Sequence, residues 1–164
     1  MPVMTIQVFI TGGTIDKVYN ELTGELEFSN TYIVDMLNRG RSMVETQSEV
    51  LFLKDSLEMN DDDRTLILDK CIASQINKII ITHGTDTMVE TAKLLGENIK
   101  GKTVVLFGAM IPYSVNNSDA LFNLGVAMGV VQTIKNGVYV VMNGQVYEFD
   151  KVIKNKTLGI FENT

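Results

Sequence analysis

Short β-branched, apolar runs alternate along this chain with longer amphipathic stretches, and that alternation leaves few ways to fold. Thr5–Ile10, Val50–Leu53, Lys78–Thr82, Thr103–Phe107 and Val138–Met142 read as strands. Most are continuously apolar, as strands covered on both faces require. Between them, Thr31–Arg39, Asp61–Ser74, Asp86–Asn98 and Ser118–Lys135 read as helices. In Asp61–Ser74 the apolar face is read as Leu66, Ile67, Cys71 and Ile72, and the leading Asp61, Asp62 and Asp63 suit the positive end of the helix dipole. Asn143-Gly144 reads as a tight turn joining Val138–Met142 to Gln145–Phe149. Strand–helix alternation predicts a three-layer α/β domain, its mostly parallel sheet wound on both faces in the Rossmann or flavodoxin manner. Ile10, Leu53, Ile81 and Phe107 are expected on central strands.

At 164 residues, one domain with a real core is expected, and 45% hydrophobic against 21% charged residues excludes a disordered chain. A net charge of −6 argues against nucleic acid as a main partner, because phosphate binding needs a basic footprint. There is one Cys and one His, so no intrachain disulfide forms. Cys71 and His83 alone are too few ligands for zinc, and no metal is expected. The start, Met1-Pro2-Val3-Met4-Thr5, has no basic region, and the apolar run after it is too short for a signal peptide or a bilayer span. A cytoplasmic location without membrane contact is the expectation.

In sheets of this kind ligands bind beyond the carboxyl ends of the strands. The loops there are Thr11-Gly12-Gly13-Thr14-Ile15-Asp16, Lys54-Asp55-Ser56-Leu57-Glu58-Met59-Asn60-Asp61, Thr82-His83-Gly84-Thr85-Asp86-Thr87-Met88 and Gly108-Ala109-Met110-Ile111-Pro112. Gly13 and Gly84 allow close backbone approach. Thr14 and Thr85 then present hydroxyls, and Thr85 and Asp86 are read at a helix start, where free N–H groups favour an anion. A threonine hydroxyl is a weak nucleophile until a base or cation activates it. Lys154 is the candidate cation, with Asp86 to orient it. Each Gly-Thr loop alone could be a turn or a cap; two at the ends of two strands are harder to dismiss. A nucleotide-binding module is disfavoured, since neither Gly-x-Gly-x-x-Gly nor a Walker A pattern occurs. His83 reads as a structural residue beneath its loop and Cys71 as a buried, inert thiol.

Thr11-Gly-Gly-Thr-Ile15 and Ile81-Thr-His-Gly-Thr-Asp-Thr-Met88 resemble the two signatures of the bacterial-type L-asparaginase family. Ser56-Leu-Glu-Met-Asn-Asp61, Gly108-Ala-Met-Ile-Pro112 and Val140-Val-Met-Asn143 resemble further family segments, in the family's order. The resemblance implies hydrolysis of asparagine or a related small amide, without metal or organic cofactor. By motif, Thr14 resembles the primary nucleophile, and Thr85, Asp86 and Lys154 the set that supports it. Ser56 and Asp86 resemble residues that hold the substrate's carboxylate and amino group, flanked by Gly13, Leu57 and Gly84. Ala109 resembles a residue whose carbonyl meets the scissile amide. Tyr19 is the nearest candidate for the family's loop tyrosine. Leu57 stands where the family usually has Gln, and Glu58 where it commonly has Asp. Residues 1–164 resemble only the N-terminal family domain, and the C-terminal domain that completes the family's site is expected to be absent. The site is therefore expected to be more open or capped by a partner protomer, and the chain to be a homo-oligomer, most simply a two-fold dimer, with activity weaker and less selective than in two-domain relatives. The alternative is an amino-acid-binding or regulatory protein whose site is catalytically weakened.

Overall fold

The apolar runs fill both faces of one sheet. A computed structural model describes residues 4–164, so Met1–Val3, part of the start read above for targeting signals, lie outside the described residues. In chain order the elements are β1 (Thr5–Gly12), β2 (Lys17–Asn20), β3 (Glu25–Phe28), α1 (Ile33–Arg39), β4 (Glu45–Lys54), α2 (Asp61–Ala73), β5 (Lys78–Thr82), α3 (Met88–Asn98), β6 (Thr103–Phe107), α4 (Ala120–Thr133), β7 (Gly137–Met142), β8 (Gln145–Glu148), β9 (Val152–Asn155) and β10 (Ile160–Asn163). The main sheet runs β4-β1-β5-β6-β7-β8. All its pairs are parallel except β7–β8. That last pair turns through Asn143 (φ 49°) and Gly144 (φ 84°), the left-handed pair that a two-residue hairpin demands.

Neighbouring residues on each strand serve opposite faces. Val8, Ile10, Ile80, Val105 and Phe107 pack under α1 and α4, against Met36, Leu124 and Ala127. Phe9, Ile79, Ile81, Val104 and Leu106 pack under α2 and α3, against Ile67, Cys71, Ala92 and Leu95. Three layers result, with the strand order of a flavodoxin-like domain. In that order the topological switch lies between β1 and β5, where the chain leaves toward opposite sides.

The structure corrects several sequence expectations. Leu53 is on an edge strand, not a central one. β4 starts at Glu45 rather than Val50, because an edge strand tolerates exposed polar residues such as Glu45 and Glu49. The buried stripe of α2 is Arg64, Ile67 and Cys71, spaced i, i+3, i+7, which leaves Leu66 and Ile72 outside it and exposed. α3 begins at Met88, so Thr85 and Asp86 stand on the loop before it and not at its first turn. Two small antiparallel hairpins, β2–β3 and β9–β10, were not foreseen as strands. No helix among the described residues is long and apolar enough to cross a membrane.

Candidate functional site

Four loops leave the carboxyl ends of β1, β4, β5 and β6 and meet at their smallest residues. Gly13, at φ 83°, donates its N–H to the Lys54 carbonyl at 2.9 Å. A Cβ placed on Gly13 would lie 2.5 Å from the Gly84 nitrogen and 2.6 Å from its Cα. One on Gly84 would lie 2.7 Å from both Cβ and Oγ of Ser56, and one on Gly108 would lie 2.3 Å from the His83 carbonyl oxygen. Gly13 thus meets Gly84 backbone to backbone across the switch point, Gly84 meets the Ser56 side chain, and Thr14 and Thr85 each follow a glycine of that seam. Gly13→Ala combines a left-handed backbone with a backbone clash and should cost about 3 kcal/mol in urea unfolding. An unchanged midpoint would show the seam to be looser than these distances.

Thr14 is partly exposed and opens a 3-10 turn, Thr14–Asp16. Thr85 is buried, and its Oγ1 accepts a hydrogen bond from Lys154 Nζ at 2.8 Å. The same ammonium donates to Asp86 Oδ1 at 2.6 Å. Lys154 comes from β9, outside the main sheet, and its side chain is 9% exposed against 39% for Asp86. One face of the pair is therefore open to a ligand. Because Lys154 occupies an Oγ1 lone pair, the Thr85 hydroxyl hydrogen is left to point elsewhere. Ser56 is buried; its Oγ accepts the Thr87 N–H at 3.3 Å and its carbonyl the Thr87 hydroxyl at 2.9 Å. Asp55, beside it, accepts from Lys17 Nζ at 2.6 Å, and that ammonium holds its carboxyl below the usual range. The Lys17 contact pins the root of the β2–β3 hairpin to the Ser56 loop.

Of the residues singled out in the sequence, Gly13, Ser56, Gly84, Thr85, Asp86 and Lys154 share this cluster, and Thr14 adjoins it. Ala109 is buried on the Gly108 loop that packs against His83. Leu57 is 66% exposed and uses its N–H to bond Asp55 at 3.1 Å. Tyr19 lies on β2, opposite Leu26, and is 62% exposed. No hydrogen bond joins it to the cluster among the described residues. A cavity of about 330 Å³ lies elsewhere, lined by Arg39, Tyr113 and the Ser114–Ser118 loop.

Sequence reasoning missed the residues that hold the Gly108–Pro112 loop. Asp119 accepts the Met110 and Ile111 N–H groups, each at 3.0 Å. Asn123, fully buried, donates to the Gly108 carbonyl at 3.0 Å and accepts the Asn143 N–H at 3.0 Å. The available signal was a lone Asn, four residues after an Asp, in the apolar run that opens α4.

His83 is fully buried, and burial pushes its pKa down to about 4. Its Nδ1 faces the Gly84 carbonyl at 2.7 Å and must donate, so Nε2 accepts the Thr91 hydroxyl at 2.7 Å. Both nitrogens are committed to holding the Thr85 loop. Burial likewise lifts the Cys71 thiol to about 12, which leaves it unreactive.

Asp16 is the other perturbed group. Burial pushes its pKa up to about 6, against the bonds from Tyr32 N–H and the Thr31 hydroxyl. The native state thus holds this proton more tightly than the unfolded chain, whose carboxyl titrates near about 4. Asp16 costs stability at pH 7; that cost fades as pH falls through about 6 and is gone below about 4. Compared with Asp16→Asn, which does not titrate, the wild-type chain should gain on the order of 2 kcal/mol in relative stability between about pH 7 and about pH 4.5. A difference independent of pH would show that burial does not strain this carboxyl.

Comparison with known proteins assigns this α/β domain to a family. The chain belongs to the asparaginase family: the model of the domain described as "Asparaginase, N-terminal" matches residues 5–161. It is 32% identical to the probable periplasmic L-asparaginase of Haemophilus influenzae, over 94% of this chain and 47% of that one. Among solved structures it resembles the thermostable L-asparaginase of Thermococcus kodakarensis, with TM-score 0.86, 28% identity, and coverage of 98% of this chain and 51% of that one. A probable cytoplasmic L-asparaginase from Campylobacter jejuni gives TM-score 0.84 at 30% identity, covering 98% and 53%. The chain thus spans about half the length of these relatives.

Proposed function

We propose that this chain is an amidohydrolase that cleaves the side-chain amide of L-asparagine, or a related small amide, to the acid and ammonia. The observation that carries the reading is Lys154 Nζ, 2.8 Å from Thr85 Oγ1 and 2.6 Å from Asp86 Oδ1, beside the seam that Thr14 adjoins. A cation that is mostly buried, paired and bonded to a hydroxyl is costly to desolvate and is placed for proton transfer. Thr14 Oγ attacks the amide carbon and forms an ester as the C–N bond breaks. The hydroxyl proton passes to the leaving nitrogen, and ammonia departs. Thr85, Lys154 and Asp86 carry the proton and, in the second half, activate the water that hydrolyses the ester. Ser56 holds the substrate's carboxylate and Asp86 its amino group. The N–H groups beside Gly13 and Gly84 and the Ala109 carbonyl line the amide, and Tyr19 assists Thr14. Neither metal nor organic cofactor enters this scheme.

Ammonia release from asparagine, glutamine and simple amides tests the reading. Turnover of asparagine is expected. Binding of asparagine with no ammonia would favour the regulatory alternative, to which the exposed apolar Leu57 lends some weight. We further propose that the protein works in the cytoplasm, as the name of the Campylobacter relative suggests for that protein, and as a two-fold dimer. The dimer reading rests on a partly open Asp86, which a second copy could cover. Sedimentation at micromolar concentration should give twice the mass of the chain; a strict monomer would remove the dimer from the account.

A further inference from the structure

Asp16 is fully buried, takes no part in the chemistry proposed above, and leaves Oδ2 with no partner among the described residues. Its other oxygen is doubly used. Oδ1 accepts the Thr31 hydroxyl at 3.1 Å and the Tyr32 N–H at 2.9 Å. Asp16 closes the turn that Thr14 opens, and β2 begins at the next residue. β3 ends at Phe28, and the chain that returns from it reaches Thr31 almost at once. One carboxylate therefore ties the end of the hairpin to its beginning, two residues from Thr14.

The entering side has its own holds. Lys17 Nζ bonds Asp55 at 2.6 Å, the Ser114 hydroxyl donates to the Lys17 carbonyl at 2.9 Å, and the Tyr113 N–H donates to the Ile15 carbonyl at 3.2 Å. The returning side is held at Asp16. Beyond these roots, residues 21–27 are exposed. A buried acid with an orphaned oxygen is a costly way to cap a short helix, since a serine or threonine could cap it with less desolvation. Acceptance of two donors by one oxygen makes a stiffer joint than a single bond would.

We propose that Asp16 is a positioning residue: its Oδ1 clamp on Thr31 and Tyr32 fixes the β2–β3 hairpin, and Tyr19 with it, relative to Thr14. Its kinetic consequence rests on the amidohydrolase reading, whereas its structural consequence does not. Asparagine at this position keeps the Oδ1 acceptor, so it keeps the clamp; alanine removes it.

The test pairs hydrogen exchange with steady-state kinetics on Asp16→Ala, Asp16→Asn and Thr31→Val. In Asp16→Ala the amides of residues 17–28 should exchange at least about tenfold faster while those of β1 and β5 keep their protection. Its kcat for asparagine should fall about 100-fold with KM little changed, because a misplaced group costs the transition state rather than binding. Asp16→Asn should restore both, and Thr31→Val should show the same pattern in weaker form. Unchanged hairpin exchange in Asp16→Ala would overturn the proposal. So would an Asp16→Asn as slow as Asp16→Ala, since charge and not the clamp would then matter. If Asp16→Ala does not fold, Thr31→Val decides: faster hairpin exchange supports the clamp, and wild-type exchange refutes it. A wild-type chain that releases no ammonia would defeat the amidohydrolase reading alone, and exchange would still judge the clamp.

Discussion

Replacing Thr14 by valine should lower kcat for asparagine by at least about 10³-fold while leaving the fold nearly intact. Valine matches threonine in shape and lacks only the hydroxyl proposed as the nucleophile. Thr14 is partly exposed and heads a short 3-10 turn whose neighbours, Ile15 and Asp16, are the buried members. Its methyl and backbone would keep their places, so the thermal midpoint should stay within about 2 °C of wild type, as for a surface change of a few tenths of a kcal/mol. The contrast between a lost rate and a kept midpoint carries the meaning. Parallel loss of both would make Thr14 structural, and full activity would point to another nucleophile.

Lys154→Met should have an effect of the same order, about 10³-fold in kcat, since it removes the group that bonds Thr85 and neutralises Asp86. Lys154→Arg separates two roles. A guanidinium preserves the ion pair with Asp86 but does not give up a proton near neutral pH. If Lys154 exchanges a proton with Thr85, the arginine variant should be nearly as slow as the methionine variant, yet more stable than it. Near-normal turnover by Lys154→Arg would reduce Lys154 to an electrostatic anchor.

The layered sheet and the loops at the carboxyl ends of its strands were legible in the sequence because buried parallel strands must be continuously apolar. Ile79–Ile81 and Val104–Leu106 have no alternative place. β4 was only half legible: Val50–Leu53 carries an apolar signal, but Glu45–Glu49, which pairs with β1 along its backbone, is polar and leaves none. The hairpins were illegible for another reason: each strand is only four residues long and mixes apolar with polar residues, as in β9 and β10, where Val152 and Phe161 are buried beside exposed Ile153 and Ile160. The boundary of α3 was misread because Asp86 suits a helix start by propensity, whereas its carboxylate is taken by Lys154, a contact between residues distant in sequence. Lys154 was read as the cation beside Thr85 and Asp86, a pairing that the family resemblance also implied, although the contact joins residues far apart in sequence. Asp16 was read only as the end of a motif, since nothing local shows that Thr31 and Tyr32 return to it.

Rapid acid quench of the enzyme during turnover of asparagine, followed by peptide mass spectrometry, tests the central claim most directly. The account predicts an aspartyl ester on the peptide that carries Thr14, and none in Thr14→Val. An ester on Thr85 instead, or ammonia released with no ester on any threonine, would contradict it.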